Sequence, residues 1–290
     1  MNIIEKRIKY YLGDIINNNY KVDLSNMITI KDLINKSDKK ILYNYIIPFI
    51  NLLYKTKNTN KKFSAFFGDI SHKLNAEIIV KNRASYNTKS VIIRCMQFNR
   101  HWGLYYKPPN DISFNSKINK IFWRGTTTGN ISNKGNRFDL VSKWFNSTNI
   151  DVGFSSICQN KDNYKKYLKN SVVESEFLKY KYILSVEGND KDSGLNWKLN
   201  SNSVVLMPSP KISSWLMETT LIPNYHYVLL KDDFSDLEEK LLWCNKNQNK
   251  CIEIVKNSSV YMKQFSNNKL EEYIEQKVIN KYFDIIDKLQ

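Results

Sequence analysis

Residues able to bind an anion concentrate in the stretch Lys179–Pro210, KYKYILSVEGNDKDSGLNWKLNSNSVVLMPSP. Tyr182–Val186 reads as a short apolar strand. The chain then turns through Glu187, Gly188, Asn189 and Asp190, restarts as a helix near Ser193 and returns as a strand at Ser203–Met207. Strand, polar glycine-containing turn, helix and strand make a βαβ unit, which puts the turn at the carboxyl end of a parallel strand. Ligands of open α/β sheets sit there, where the first NH groups of the following helix can face a negative charge. Gly188, Asn189 and Asp190 are the candidate ligands in this turn.

A second loop has the same chemistry. Arg124 and Arg137 flank Gly125–Asn136 (GTTTGNISNKGN), rich in Gly, Thr, Ser and Asn. Such a loop lets backbone approach a ligand closely and offers hydroxyl donors, while two arginines supply charge-assisted hydrogen bonds. Arg124, Gly125, Thr126 and Arg137 are its candidates.

The elements that must carry these loops follow from the pattern. From Lys120 onward strands alternate with helices: strand Ile121–Arg124, helix Arg137–Trp144, extended Asn149–Gly153, helical or loop pieces at Asn163–Lys169 and Glu174–Leu178, then the βαβ unit and strand Tyr225–Leu230. This alternation predicts a parallel α/β sheet. Ser235 with Glu238 three residues on reads as a capping box opening a helix over Asp236–Asn245. Residues 1–60 read as helices, with Ile3, Ile4, Ile8, Tyr11 and Ile15 on one face and a largely apolar run at Ile41–Tyr54. Lys55–Lys62 is a polar loop, Gly68-Asp69 precedes a helix, and Glu77–Lys81 and Ser90–Met96 are strands. Tyr105–Asn119, with Pro108-Pro109, reads as an interdomain linker. The domains expected are 1–115, 116–266 and a carboxy-terminal helix in 267–290, where Leu270, Ile274, Val278, Tyr282, Ile285 and Leu289 recur at helical spacing. The polar face of that helix is mixed in charge, which favours a packed role over a membrane-surface one.

Three blocks in order resemble glycosyltransferase family 90, which includes Rumi-type protein O-glucosyltransferases and bacterial lipopolysaccharide core-modifying enzymes. They are Phe122-Trp123-Arg124-Gly125 followed by Arg137; Lys179–Tyr182 with Gly188-Asn189 and Ser201–Val205; and Trp215 with Leu221–Tyr227 and Asp232–Leu237. The resemblance covers roughly Ile79 to Phe265 and is nearer the bacterial branch. It implies an α/β, GT-B-like fold: two Rossmann-like halves facing a cleft, with the carboxy-terminal helix folding back. It implies an inverting transferase that moves a hexose or pentose, such as glucose, from a UDP-sugar to a lipopolysaccharide core or other cell-surface glycan. Domain 1–115 would be the acceptor side and 116–266 would bind the nucleotide sugar. The family places phosphate-contacting groups in the stretch that holds Arg124 and Arg137.

The chain departs from the family at two points. The animal branch carries a Ser-x-Arg after the glycine turn; here Ser193 is followed by no arginine, and Lys198 is a substitute that lacks the bidentate fork. The animal branch also has an aspartate after an Asn/Arg-containing strand; here Val80-Lys81-Asn82-Arg83 is followed by Ala84. A base must therefore come from elsewhere, and Asp111 and Asp69 are the candidates, Asp111 first. Asp190-Lys191-Asp192 spells the DxD by which other transferases hold manganese, but in a βαβ turn it reads as a coincidence, so no metal and no cofactor beyond the UDP-sugar substrate are expected. Trp197 either stacks on a base or fills the core. His226, between tyrosines, reads as packed, and no histidine-centred metal site or triad is supported.

The chain of 290 residues carries a formal net charge of +16 with 42% hydrophobic content. This composition suits a folded protein attracted to polyanions, or a basic surface left by a bias toward Lys, Asn and Ile codons. No nucleic-acid module is recognisable, so the expected partners are the UDP-sugar, an anionic glycolipid or glycan acceptor and, peripherally, an anionic membrane. A basic nucleic-acid or membrane-binding protein with a degenerate transferase fold is the alternative. The four cysteines show no CxxC pair and read as free thiols. The sequence shows neither a bilayer-spanning run nor a signal-peptide pattern, so a cytoplasmic location, peripheral at the inner membrane face, is expected.

Overall fold

The computed structural model describes residues 2–17, 26–70, 78–86, 88–94, 105–132 and 135–288. The chain divides into two compact units. Unit 1 comprises Met1–Leu104, Lys211–Glu218 and Asn267–Gln290, and unit 2 comprises Tyr105–Pro210 and Thr219–Ser266.

Unit 1 begins with α1 (Ile3–Leu12), α2 (Ile30–Asn35), the one-turn α3 (Lys39–Ile41), a π-helical stretch (Leu42–Ile46) and α4 (Ile47–Lys55). Strands β1 (Ala65–Phe66), β2 (Ile79–Val80) and β4 (Val91–Ile92) form a parallel sheet in the order β1-β2-β4. Strand β3 (Arg83–Ala84) pairs antiparallel with β9 (Ile212–Ser213). Strands were expected at both Glu77–Lys81 and Ser90–Met96; Glu77, Cys95, Met96 and the helix expected after Asp69 lie outside the described residues, as do His72 and His101. The Arg83 guanidinium donates to the carbonyls of Tyr10, at 2.7 Å, and of Ser90, at 2.8 Å, so it ties the end of α1 to the segment before β4.

Unit 2 is built on five parallel strands: β5 (Ile118–Thr126), β6 (Ile150–Ser156), β7 (Tyr180–Leu184), β8 (Val204–Met207) and β10 (Val228–Leu229), in the order β10-β8-β7-β5-β6. Both faces are covered, as the uninterrupted apolar runs of a parallel sheet require. Ile121, Trp123, Tyr182, Leu184, Val204 and Leu206 share one buried cluster, while Phe122 and Ile183 pack on the other face with Phe177, Leu178 and Trp197. Trp197 is therefore a core residue. Around the sheet lie α5 (Arg137–Trp144), α6 (Glu174–Phe177), α7 (Leu195–Lys198), α8 (Leu237–Lys246) and α9 (Gln248–Lys263).

Two expectations are corrected here. The segment 105–117 is not a linker: Phe114 enters the unit 2 core, and the Asn200 side-chain amide donates to the Tyr106 carbonyl at 2.9 Å. The capping box at Ser235/Glu238 does not form. The residue before α8 is Asp236, and its carboxylate is turned back to accept from the Lys231 amide at 3.1 Å.

The chain ends in α10 (Asn268–Asp287), which packs against α1 and α4 within unit 1. Ile274, Val278, Ile279, Tyr282, Phe283 and Ile286 are buried along it. Near its start Glu271 receives both terminal nitrogens of Arg7, at 2.6 and 2.7 Å, and is 3.2 Å from Arg94. Arg7 and Glu271 are both buried, and their pairing lets α1 carry a cation into the core. The fold class is α/β with parallel sheets and a carboxy-terminal helix folded back, as the sequence implied. No helix among the described residues is long and apolar enough to cross a membrane.

Candidate functional site

Strands β5 and β7 are neighbours and run parallel, so the loops after them meet at the carboxyl end of the sheet. The Gly129 amide donates to the Asn189 side-chain oxygen at 2.8 Å. Gly129 has φ +107°, a conformation that favours glycine, and a side chain on it would meet the Gly188 backbone at 3.3 Å. Gly188 needs the same economy of space: a Cβ there would lie 2.6 Å from Thr128 Oγ1 and 3.0 Å from the Arg137 guanidinium carbon. The two glycines let both loops close around one arginine.

That arginine opens α5, whose start is fixed by Asn136 accepting from the Asp139 amide at 2.8 Å. Its guanidinium donates to Thr128 Oγ1 at 2.6 Å, to the Thr126 carbonyl at 3.2 Å and to the Val186 carbonyl at 3.1 Å. All three acceptors are uncharged. Burial presses the Arg137 pKa below its ordinary value, and only the field of Asp192 and Cys158 opposes this. Among the described residues no carboxylate is within ion-pairing reach of it. A desolvated cation held in a fixed orientation by neutral groups gains from an incoming anion.

The second arginine is used differently. Arg124 leaves β5 toward β6 and grips Asp151 with two bonds from one terminal nitrogen, at 2.9 and 3.1 Å, while its other terminal nitrogen donates to the Asp151 carbonyl at 3.0 Å. Lys169 also donates to Asp151 at 2.5 Å. Burial raises the Asp151 carboxyl, but the two cations outweigh it and hold it below the usual carboxylate range. Arg124 is thus paired within the sheet, whereas Arg137 is held only by uncharged acceptors. The β5–β6 register shifts between Gly125 and Thr126, and a Cβ on Gly125 would lie 2.5 Å from the Trp123 ring. Thr126 contributes its carbonyl to Arg137.

In the turn after β7, Gly188 donates to the Asp190 carbonyl at 2.8 Å and the Lys191 amide donates to the Asp190 carboxylate at 2.9 Å. Asp192 is buried and accepts from Ser185 at 2.7 Å, from Lys198 at 2.6 Å and from the Gly194 amide at 2.9 Å. Burial alone would raise its carboxyl, but these donors, Lys198 foremost, hold it below the usual range. Lys198 also donates to the Leu184 carbonyl at 3.1 Å. The Lys198 ammonium is thus placed between the Asp192 carboxylate and the end of β7. The helix near Ser193 is a single turn, α7, and the Ser193 side chain is exposed at its entrance.

Asp111 is misplaced by the sequence reading. Its carboxylate pairs with Lys117, just before β5, and accepts from the Asn202 amide, just before β8, at 2.5 Å. Both contacts lie at the amino end of the sheet. Strand β5 alone spans nine residues, roughly 25 Å at the usual rise. Asp111 therefore sits at the opposite end of the sheet from Arg137, with its side chain 5% exposed. Asp69 follows β1 at the carboxyl end of the β1-β2-β4 sheet; it pairs with Lys81 at 3.1 Å and keeps half its side chain exposed. His226 is packed, as expected: its Nδ1 accepts from the Ile222 amide at 2.8 Å and burial lowers its pKa. Among the described residues Cys158, Cys244 and Cys251 are free thiols.

Sequence reasoning missed Thr128 and Asp151. Thr128 was visible only as one hydroxyl in a polar loop. Asp151 became Arg124's partner through strand register, which a single sequence does not show.

A family model described as glycosyl transferase family 90 matches residues 104–288. The O-glucosyltransferase LpsA of Dichelobacter nodosus is 32% identical over 228 residues, covering 78% of this chain and 68% of that protein. Protein O-glucosyltransferase 2 of Danio rerio is 31% identical over 144 residues, 48% of this chain and 27% of that one. Among solved structures, the crystal structure of TarM superposes with a TM-score of 0.48 at 12% identity, covering 82% of this chain and 53% of that one. The matched span contains the whole Arg137 site, and the chain belongs to glycosyl transferase family 90.

Proposed function

We propose that this glycosyltransferase moves a sugar, glucose or a close relative, from a UDP-sugar to an anionic cell-surface glycan precursor such as a lipopolysaccharide core, with inversion and without a metal ion. The observation that carries the reading is Arg137: a desolvated guanidinium, oriented by Thr126, Thr128 and Val186, at the carboxyl end of parallel strands. Departure of UDP puts negative charge on the diphosphate as the bond from its oxygen to the anomeric carbon breaks. Arg137, with the amides and hydroxyls of the two loops, meets that charge with groups already in place. The new bond forms from the acceptor oxygen on the opposite face of the sugar, and the acceptor proton passes to a base. Asp69 takes that role in this reading, since Asp111 is committed at the amino end of the unit 2 sheet. Metal is not required because Asp192 of the DxD is already bound to Lys198 and Asp190 is engaged with the turn backbone. The similarity to LpsA, an O-glucosyltransferase, supports glucose as the transferred sugar.

Thermal stabilisation by a panel of nucleoside diphosphates and their sugars tests the reading. A ligand present at a hundred times its dissociation constant adds about 2.7 kcal/mol to the native state. UDP and UDP-glucose should raise the melting temperature in EDTA, and ADP or GDP should do so less. Stabilisation by none of them, or only with manganese, contradicts the reading.

A further inference from the structure

We propose that the outer face of the helical stretch 39–55 docks the protein on an anionic lipid bilayer. Between Lys36 and Lys62 the chain carries seven lysines and a single acidic residue, Asp38. The stretch runs through α3, the π-helical turn and α4 without a break. Tyr43 and Tyr54, eleven residues or about three helical turns apart, share one face and are 57% and 68% exposed. Half-buried Ile47 and Ile50 fall between them on the same stripe. Lys39 and Lys40 stand exposed at one end of this stripe, and Lys55 and Lys57 at the other; Lys55 pairs at the surface with Glu272.

Tyrosines with lysines at both ends of an apolar stripe match the interface of a membrane, where aromatic rings sit at headgroup level and ammonium groups meet anionic lipid. Charge alone would also suit nucleic acid, but a phosphate backbone has no use for an exposed apolar stripe between the charges. The carboxy-terminal helix cannot serve, since its apolar side is covered within unit 1. The inference rests on the proposed function only for its purpose, which is to bring a lipid-linked acceptor to the enzyme. Its test does not need turnover.

The full chain is sedimented with vesicles of phosphatidylethanolamine and phosphatidylglycerol, and separately with phosphatidylcholine vesicles. Binding to the anionic vesicles alone, weakened by salt, is expected. Lys39→Gln with Lys40→Gln should lower partitioning about 30-fold, the loss expected for two lysines near such a surface. Tyr43→Ser with Tyr54→Ser should lower it further at high salt, where the apolar contribution dominates. Removing the same charge elsewhere, by Lys165→Gln with Lys166→Gln, should matter far less. UDP-dependent melting of every variant should match the parent, so loss of vesicle binding is distinguished from loss of the nucleotide site. No binding of the parent to anionic vesicles overturns the inference. So does an equal loss from the Lys165/Lys166 pair, or binding to random duplex DNA that depends on Lys39 and Lys40 when vesicles are ignored.

Discussion

Gly188 and Arg137 are in such close contact that a methyl group on Gly188 would lie 3.0 Å from the guanidinium carbon and 2.6 Å from the hydroxyl that Arg137 grips. The turn after β7 is thus the floor against which the arginine of the neighbouring loop is pressed. Orientation of the cation is a property of two loops and not of α5 alone.

Gly188→Ala should therefore displace Arg137 without touching the nucleotide directly. The overpacking strain is about 1–3 kcal/mol, and moving the arginine and Thr128 relieves it. UDP affinity should fall about tenfold or more, with only a small change in unliganded melting. Titration calorimetry reads this directly; unchanged affinity would mean that the loop spacing does not set the arginine's position.

Asp192 should behave as a structural residue. Removing its charge by Asp192→Asn leaves Lys198 buried without its counter-ion, at a cost on the order of 3 kcal/mol. A clear drop in melting temperature is expected, while activity per folded molecule remains indifferent to EDTA. Full stability with activity abolished would instead make Asp192 a ligand.

Acid should act through the same carboxylate. Its folded-state pKa is held below the unfolded value of about 3.9. The stabilisation is therefore complete above about pH 5 and is lost as pH falls through the lowered pKa. In Asp192→Asn this part of the acid transition disappears, so the stability difference between parent and variant should shrink as the pH drops. Urea melts between pH 6 and pH 3 measure it, and a pH-independent difference would refute the assignment.

The two carboxylates weighed as base should separate cleanly. Asp69→Asn should keep UDP affinity and lose turnover by about 10²–10⁴. Asp111→Asn should melt earlier, since it uncouples Lys117 and the Asn202 amide, yet retain turnover per folded molecule. The reverse pattern would return the base to the segment before β5.

The parts of this site that follow local rules were legible in the sequence. Helix α5 begins at Arg137 as expected, because Asn136 caps it and its apolar positions recur at helical spacing. The two loops fall at the carboxyl ends of parallel strands because alternating strands and helices leave few other topologies. What was not legible depended on long-range placement. Arg124 flanks the Gly125–Asn136 loop in the sequence, but only the β5–β6 register shows that Asp151 is its partner. Asp111 was set in a linker on the strength of Pro108-Pro109, whereas Phe114 draws that segment into the core and carries the carboxylate to the amino end of the sheet. The Ser235/Glu238 pattern had the right spacing, yet Asp236 was taken by the Lys231 amide.

Titrating UDP into the parent protein, Arg137→Ala and Arg124→Ala under identical conditions in EDTA separates the two arginines. Arg137→Ala should weaken binding by about 1.5–3 kcal/mol, the worth of charge-assisted hydrogen bonds, with little change in unliganded melting. Arg124→Ala should bind UDP nearly as the parent does but melt earlier, because Asp151 loses its partner. If Arg124→Ala loses UDP affinity while folded Arg137→Ala keeps it, the anion site is not where the two loops close on Arg137, and the central claim fails.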